Sequence, residues 1–397
     1  MPETRFAVLP VDTLSAIQED RDAVYAELHD EIDLFQIEGR RSLVVLAHHL
    51  VVSGLKNRSF RSNKREAFFR TLAHHGIQDA ARAALERVYD GWLMYMDPPE
   101  HPKYRTEVAE ALQASRTHPG QEASELVSQA FATGEPQSIT STVSPAWLRS
   151  AMASIMGCSV VEYERMVELS KTLLEFFIGR TQIEEKDIGA TLGAYRELGE
   201  LLLAQQGRNG LVPLLLESLS ADDPRRIPVI VSLIADTWEP VLALMTSGVF
   251  HGLSKQSGET LCDSAPSLEY LFQESSRYDT PFQLCNRVAE AGATLDAVDC
   301  QGGDRVLFVI GAANRDPRIF EEPREFRLER GARSKQVSFG HGPHYCLGAR
   351  LAYDLCCTFW NDLREGMGKR RYGVASHRWR DVLGMRILDE LVIVPVT

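Results

Sequence analysis

The segment from Phe339 to Ala352, FGHGPHYCLGARLA, constrains the fold more than any other stretch of the chain. Its glycines and proline, Gly340, Gly342 and Pro343, predict a tight turn that neither a helix nor a strand can form. Cys346 follows at the start of an apolar helical pattern, where free N–H groups and the positive end of the helix dipole stabilise a thiolate. The segment predicts either a metal-binding thiolate or a buried structural cysteine.

The other six cysteines favour a structural role. They stand at positions 158, 262, 285, 300, 356 and 357, with irregular spacing and no Cys-x-x-Cys pair. This arrangement favours neither a zinc site nor a disulfide framework. In a reducing compartment we expect such residues to pack as small hydrophobic groups.

The composition excludes some classes of partner. The chain has 43 basic and 55 acidic residues, a formal net charge of −12, which argues against nucleic acid as a main partner. The N-terminal residues lack the apolar core of a signal peptide, and the longest apolar runs are shorter than the roughly 20 residues that span a bilayer. We therefore expect a cytoplasmic protein with no membrane segment.

Apolar spacing predicts a mainly α-helical protein with small β-sheets. One long apolar helix is expected from about residue 228 to residue 253, buried at the centre of the fold because it is apolar nearly all round. Strands are expected within residues 43–52, 282–309 and 385–396. Because the motifs below are spread along the chain and serve one site, we predict a single domain over residues 1–397.

The segment around Cys346 resembles, almost position for position, the haem-binding loop of the cytochrome P-450 family, Phe-Gly-x-Gly-x-His-x-Cys-Leu-Gly-x-x-Leu-Ala. The resemblance, to the soluble bacterial type, implies haem b with its iron held by the Cys346 thiolate, a propionate contact from His344, and Phe339 beside the cofactor. It also implies the family fold, in which haem lies between a long central distal helix and the cysteine-bearing helix.

A second motif resembles the family's Glu-x-x-Arg. Glu274 and Arg277 are three residues apart, which places both side chains on one face of a helix, where they can form an ion pair. In the family this pair is buried and braces the haem loop, often with an Arg from a Pro-x-Arg-Phe segment. Here Glu325 stands in that place, so Arg324 or Arg330 could supply the third member.

Further residues resemble the family's propionate contacts. His101 and Arg105 match its His-x-x-x-Arg, and their spacing of four places both on one helix face, able to grip carboxylates. Without that resemblance, the start of a solvated helix would be the simpler interpretation. Arg287, just before a predicted strand, resembles another contact of this kind. The resemblance covers roughly residues 20–397.

The chain departs from the family at the distal helix. The usual motif is Ala/Gly-Gly-x-Asp/Glu-Thr, whose acid and alcohol organise water and deliver the protons that break the O–O bond. The matching residues are DTWEP, with Glu239 in the acid position and Pro240 in place of the alcohol. Proline has no hydroxyl and no N–H, and it clashes with the carbonyl four residues back, so a kink is expected at Asp236.

Asp236 and Thr237 lie four and three residues before Pro240, near the same helix face. One hypothesis is that either residue points into the distal pocket, supplying protons or binding a polar group of the substrate. The alternative is that Asp236 merely caps the kink. From the family's layout, the pocket is expected to involve Tyr95, residues 173–180, Trp238 and Leu284.

Three functions remain open. The first is an oxidase that inserts oxygen into a small organic molecule, or couples it oxidatively, in specialised metabolism. Electrons would come from a separate ferredoxin and ferredoxin reductase, because the chain has no dinucleotide motif or cysteine cluster of its own. The second is a non-standard enzyme, driven by peroxide or acting on a substrate with a pre-activated N–O or O–O bond, because Pro240 replaces the oxygen-activating Thr. The third is a non-catalytic haem-binding recruitment module.

Overall fold

Helices dominate the secondary structure. The computed structural model describes residues 4–73, 79–115, 119–179, 184–254, 261, 268–330, 335–380 and 382–396. Over these ranges the chain is mainly helical with three small β-sheets, so the predicted fold class is confirmed. The α-helices of the described ranges are α1 (Asp12–Glu19), α2 (Arg21–Glu31), α3 (His48–Lys56), α4 (Arg65–Ala73), α5 (Asp79–Asp90), α6 (Glu100–Ala114), α7 (Gln121–Phe131), α8 (Ser144–Met156), α9 (Val160–Leu174), α10 (Glu185–Leu203), α11 (Leu211–Ser218), α12 (Arg226–Ala235), α13 (Trp238–Gly252), α14 (Leu268–Tyr278), α15 (Ile310–Ala313) and α16 (Ala349–Met367).

The strands form sheets of six, three and two members. The largest has the order β1-β2-β3-β9-β6-β4, the second β10-β11-β5, and the smallest pairs β7 with β8. Their bounds are β1 (Phe6–Leu9), β2 (Leu34–Ile37), β3 (Ser42–Val45), β4 (Phe60–Arg61), β5 (Gln137–Ser138), β6 (Cys285–Ala289), β7 (Thr294–Leu295), β8 (Val298–Asp299), β9 (Arg305–Phe308), β10 (Arg371–Trp379) and β11 (Leu388–Val396).

The chain is organised in two compact units. Unit 1 comprises residues 1–61, 124–147 and 240–397, and it contains all the strands described above. Unit 2 comprises residues 62–123 and 148–239, and its regular elements, within the ranges described, are helices. The single domain over residues 1–397 stays a prediction.

The six-stranded sheet anchors the core of unit 1. Strand β3 pairs in parallel with β9, and β6 pairs with β9 in the antiparallel direction. Val45, Val306 and Phe308 on these strands are fully buried in one hydrophobic cluster. The sheet therefore gives a fixed base to β6, which carries Arg287.

The stretch predicted to include a strand at residues 43–52 divides into two elements. Strand β3 ends at Val45, and helix α3 begins at His48. The carboxylate of Asp316 accepts a hydrogen bond from the backbone N–H of His48 at 2.9 Å, which satisfies one free donor at the helix start. Because this cap lies 268 residues away in the chain, the local pattern does not reveal it.

The long apolar helix expected at residues 228–253 is present as two helices. Helix α12 ends at Ala235 and α13 begins at Trp238, so the predicted break lies at Asp236 and Thr237. In the described part of the chain, this stretch from Arg226 to Gly252 is apolar and long enough to cross a membrane by composition. Its most apolar window is 61% buried inside the protein, as in the core helix of a soluble protein.

Strand β10 is an element that the sequence pattern does not predict. It pairs antiparallel with β11 from Arg371, opposite Val396, to Trp379, opposite Leu388, with two register shifts. Most of its side chains are partly or fully exposed, so it has no regular alternation of apolar and polar residues. Pairing with the apolar β11 determines its structure.

Candidate functional site

The loop before α16 has the tight geometry that its glycines predict. Gly340 and Gly342 both have φ +71°, in the left-handed region that favours glycine. The backbone N–H of Cys346 donates to the carbonyl of Phe339 at 2.9 Å, which closes the loop. A short 3₁₀ turn from Gly342 to His344 lies inside it. Local backbone chemistry therefore holds Cys346 at the entrance to α16.

The side chain of Cys346 is exposed, whereas a structural cysteine would be buried. A Cβ atom added at Gly348 would lie 3.9 Å from the Cys346 sulfur and would meet no other heavy atom within 4 Å, outside its own neighbours and helix backbone. Space for a flat group is therefore open beside the thiol. The helix that follows has 19 residues, and its N-terminal end favours the thiolate.

The donor set of unit 1 fits the haem that the sequence resemblance implies. Cys346 offers a soft thiolate of the kind that ligates haem iron. His344 and Arg287 are both half-buried, and both can donate hydrogen bonds to the carboxylates of such a group. Phe339 contributes an aromatic ring that stacks on Phe272, with centroids 5.8 Å apart. Unit 1 thus holds four of the six predicted cofactor-binding residues.

Helix α13 packs closely against α16 within unit 1. A Cβ atom at Gly248 would lie 1.9 Å from the Trp360 ring, so the glycine permits this approach. The Trp360 indole N–H donates to the carbonyl of Met245 at 2.9 Å. These contacts fix the part of α13 that follows Pro240 relative to the cysteine-bearing helix.

We expect Gly342→Ala to destabilise the loop. The left-handed backbone costs a non-glycine residue on the order of 1 kcal/mol. In addition, the new Cβ would lie 2.6 Å from the carbonyl oxygen of Leu55, which is backbone and cannot rotate away. Urea unfolding should show a loss of about 2–4 kcal/mol. Gly384→Ala is the matched control, since its Cβ would meet nothing within 4 Å, and equal losses in both variants would contradict this prediction.

Glu274 and Arg277 form a bidentate ion pair on α14. The Arg277 Nε donates to Glu274 Oε2 at 2.8 Å, and Nη2 donates to Oε1 at 2.7 Å. Both residues are buried, with relative exposures of 2% and 0%. Arg277 also donates to three backbone carbonyls, those of Asn314, Pro323 and Glu325. The pair thus holds together segments that are up to 48 residues apart in the chain.

Arg330 supplies the third member of this cluster. Its Nε donates to Glu274 Oε1 at 3.2 Å, and its Nη2 donates to the Glu322 carbonyl at 2.7 Å. Arg324 instead contributes its backbone carbonyl, which accepts a hydrogen bond from the Tyr278 hydroxyl at 3.0 Å. The backbone N–H of Arg327 adds a further donor to Glu274 at 2.8 Å, a contact that sequence reasoning missed.

His101 and Arg105 lie one turn apart on α6 in unit 2. His101 is buried at 2% exposure, so this is not the start of a solvated helix, and Arg105 is half-buried. The helix entrance is held by Asp97, whose carboxylate accepts from the backbone N–H groups of Ser62 and Asn63 at 3.0 and 3.1 Å. The two remaining predicted cofactor-binding residues are therefore placed together in the second unit.

The four predicted distal residues lie at the junction of α12 and α13. Thr237 uses its hydroxyl to donate to the Leu233 carbonyl at 2.6 Å, so this group is engaged with the helix backbone. Glu239 and Pro240 are half-buried in the first turn of α13. The break therefore groups an acid, a hydroxyl and a second acid within one turn of chain.

Asp236 makes a contact that the sequence does not predict. Its two carboxylate oxygens accept from the indole N–H of Trp92 at 3.2 and 3.1 Å, and both residues belong to unit 2. Burial raises the pKa of Asp236 to about 7, and the Trp92 hydrogen bond opposes this rise only in part. No backbone N–H in the described ranges donates to this carboxylate, and Asp236 is itself the C-cap residue of α12, with its backbone N–H donating to the carbonyl of Ser232.

Trp92 belongs to an aromatic cluster within unit 2. Tyr89 and Tyr95 stack with centroids 4.8 Å apart, and the Trp92 ring meets Phe177 edge-on at 5.5 Å. The cluster, defined by its mutual ring contacts, consists of Phe68, Phe69, Tyr89, Trp92, Tyr95, Phe176 and Phe177. It includes Tyr95 and two residues of the 173–180 segment expected at the pocket, while Arg180 lies outside the described residues.

Two other expected pocket residues have different surroundings. Trp238 packs against Tyr163 in unit 2, with ring centroids 6.2 Å apart. Leu284 lines a small apolar pocket in unit 1, together with Tyr25 and Val309. Among the remaining cysteines, Cys262 lies outside the described residues. No disulfide joins the cysteines in the described ranges, of which Cys300 and Cys356 are buried.

Comparison with known proteins identifies related sequences. Residues 258–354 match the family described as Cytochrome P450. The chain is 38% identical over 125 residues to "Biotin biosynthesis cytochrome P450" of Bacillus subtilis strain 168, an alignment that covers 32% of this chain and 31% of that protein. It is 26% identical over 337 residues to "Mycinamicin IV hydroxylase/epoxidase" of Micromonospora griseorubida, covering 80% of this chain and 83% of that protein.

The fold is also shared with solved structures. P450BioI, in its complex with hexadec-9Z-enoic acid ligated acyl carrier protein, superposes with a TM-score of 0.78 at 19% sequence identity. The match covers 96% of this chain and 100% of that one. At this level of identity the likeness concerns the fold.

Proposed function

We propose that the chain, as a member of the cytochrome P-450 family of monooxygenase-type oxidoreductases, inserts oxygen into a small organic molecule, or couples it oxidatively, in specialised metabolism. The observation that carries this proposal is the exposed thiol of Cys346, presented by a glycine-shaped loop at the start of α16. Haem b, with its iron held by this thiolate, supplies the redox chemistry when bound. The names of two relatives, a hydroxylase/epoxidase and an enzyme of biotin biosynthesis, support a biosynthetic role.

We assign the predicted cofactor-binding residues to two tasks. Cys346 would hold the metal, and Phe339 packs at the base of the loop. By the family resemblance, His344, Arg287, His101 and Arg105 would bind the propionates, a task suited to half-buried or buried side chains with N–H donors. Glu274 and Arg277 brace the loop indirectly, because Arg277 donates to the carbonyl of Asn314, whose side chain accepts from the backbone N–H of Val337 just before the loop.

Electrons come from separate proteins in this proposal. The partners that the family resemblance implies are a ferredoxin and its reductase. A cytoplasmic location is consistent with electron transfer from these partner proteins. The substrate is a small molecule, and neither nucleic acid nor a membrane is required.

The distal residues favour a second candidate, a non-standard reaction. Pro240 stands in the alcohol position and offers no hydroxyl, while the Thr237 hydroxyl is engaged with Leu233. Glu239 keeps the acid position, half-buried in the first turn of α13. With the usual proton donor replaced, peroxide or a substrate with a pre-activated N–O or O–O bond would bypass the need for it.

Product formation under three conditions separates these candidates. Turnover is compared with ferredoxin and reductase, with hydrogen peroxide, and with neither, over a panel of candidate substrates. We expect the reductase system to support product, and we expect Pro240→Thr to raise that turnover at least tenfold, since a placed proton donor typically contributes roughly 100- to 10,000-fold. Pro224→Thr, at an exposed position, is the control and should have no effect.

Two outcomes would count against the leading proposal. Product only with peroxide, or only with a pre-activated substrate, would favour the second candidate. Absence of product under all three conditions, from a haem-loaded protein, would favour the non-catalytic module.

A further inference from the structure

The carboxylate of Asp236 has more acceptor capacity than its neighbours use. An ionised carboxylate accepts about four hydrogen bonds. Within the described ranges, its one donor is the indole N–H of Trp92, shared between both oxygens at 3.2 and 3.1 Å. No Lys, Arg or His of the described ranges is paired with it. The group is therefore built into unit 2 without a counter-ion from that part of the chain.

The carboxylate lies among mostly buried residues. Asp236 keeps some accessible surface, while its neighbours Ala235 and Trp238 and its partner Trp92 are buried. Burial raises the pKa of Asp236 to about 7. The residue is therefore accessible in part, while its buried neighbours shield it from bulk water.

The aromatic cluster supplies the apolar part of such a site. Trp92 links the carboxylate directly to the ring of Tyr95 and, edge-on, to Phe177. Aromatic rings beside an anionic group recognise positively charged nitrogen, because the ring faces carry negative electrostatic potential. The face of Tyr95 already attracts one cation, since the Lys64 Nζ lies 5.1 Å from its centroid.

We infer that Asp236, held by Trp92 beside the aromatic cluster, is a binding site for a positively charged nitrogen on an apolar ligand. This inference deepens the proposed function, on which it rests, by naming the substrate class: a small organic molecule that carries an ammonium group. A carboxylate shielded from water without a counter-ion is costly, and a ligand that brings its own positive charge removes that cost. A neutral ligand of the same shape does not.

Asp236 changes charge near neutrality, whereas the two phenols beside it do not. Burial raises the pKa of Tyr95 far above 10, and it raises that of Tyr89 as well, so both phenols stay neutral. Glu239 lies three residues further along, in the first turn of α13. The folded protein favours protonated Asp236 below about pH 7 and the carboxylate above it. Binding of a permanent cation should therefore strengthen as the pH rises through 7.

Calorimetric titration of the haem-loaded enzyme tests this inference. The probe is trimethyl(2-phenylethyl)ammonium, which cannot titrate and has no lone pair to donate to iron. Its neutral carbon isostere is (3,3-dimethylbutyl)benzene. Between pH 5.5 and pH 8.5 we expect the affinity for the cation to increase at least tenfold and the affinity for the isostere to stay constant. Asp236→Asn should abolish the increase, whereas the exposed Asp222→Asn control should retain it.

The inference fails if the cation binds no more tightly than its isostere at pH 8.5, or if Asp236→Asn binds the cation as the unchanged protein does. The pH series on the unchanged protein decides the question even if Asp236→Asn does not fold. The titration needs no oxidant and no product. If the protein bound the cation but formed no product, the inferred site would stand and the proposed function would fail. If it formed product but bound the cation no better than the isostere, the proposed function would stand and the inferred site would fail.

Discussion

Cys346→Ser is expected to abolish the far-red-shifted Soret band of the reduced, carbon-monoxide-treated protein, with a loss of turnover of at least a hundredfold. That band reports a thiolate bound to haem iron, and serine cannot supply the sulfur that donates electron density to it. The substitution is nearly isosteric and lies in an exposed part of the loop, so the fold should survive. Far-ultraviolet circular dichroism measures whether the fold survives, and the visible spectrum measures whether thiolate ligation is lost.

Cys357→Ser provides the matched control. Cys357 is half-buried on α16, eleven residues after Cys346, and we assign it no contact with the cofactor. Its variant should keep the far-red-shifted band. A thiolate spectrum that survived Cys346→Ser, or disappeared with Cys357→Ser, would show that the wrong cysteine has been assigned.

Arg277→Leu is expected to lower the free energy of unfolding by about 3–5 kcal/mol, because it leaves the buried Glu274 carboxylate without its bidentate partner. Arg330 approaches the same carboxylate through a single 3.2 Å hydrogen bond and cannot replace that geometry. The carbonyls of Asn314, Pro323 and Glu325 lose a donor at the same time. Urea unfolding followed by circular dichroism measures the loss.

The surface ion pair of Arg350 and Asp354 serves as the control. These residues also lie on one helix, but the Arg350 side chain is 80% exposed. Arg350→Leu should cost less than about 1 kcal/mol, as is usual for exposed pairs. If both variants lost similar stability, the burial of Glu274 and Arg277 would not be the cause, and the bracing role proposed for the pair would lose its support.

Much of the site's local structure could be predicted from short stretches of sequence. The positive φ angles of Gly340 and Gly342, the helical pair of Glu274 and Arg277, and the break before Pro240 each depend on residues within a few positions of one another. Backbone sterics and helix periodicity operate over that range. Prediction was weaker at residues 43–52, where the start of α3 depends on a distant cap, and at β10, where pairing outweighs pattern.

The sequence by itself predicted the family resemblance, the glycine-shaped loop and the missing distal hydroxyl, because each depends on consecutive or closely spaced residues. Only the tertiary structure decided that Arg330 joins Glu274, 56 residues away, and that Trp92 binds Asp236 across 144 residues. Such partners have no signature in local spacing, since their contact depends on how whole helices pack. The sequence alone predicted the Cys346 thiolate and an acid at a helix break. The fold added an indole and an aromatic cluster beside that acid.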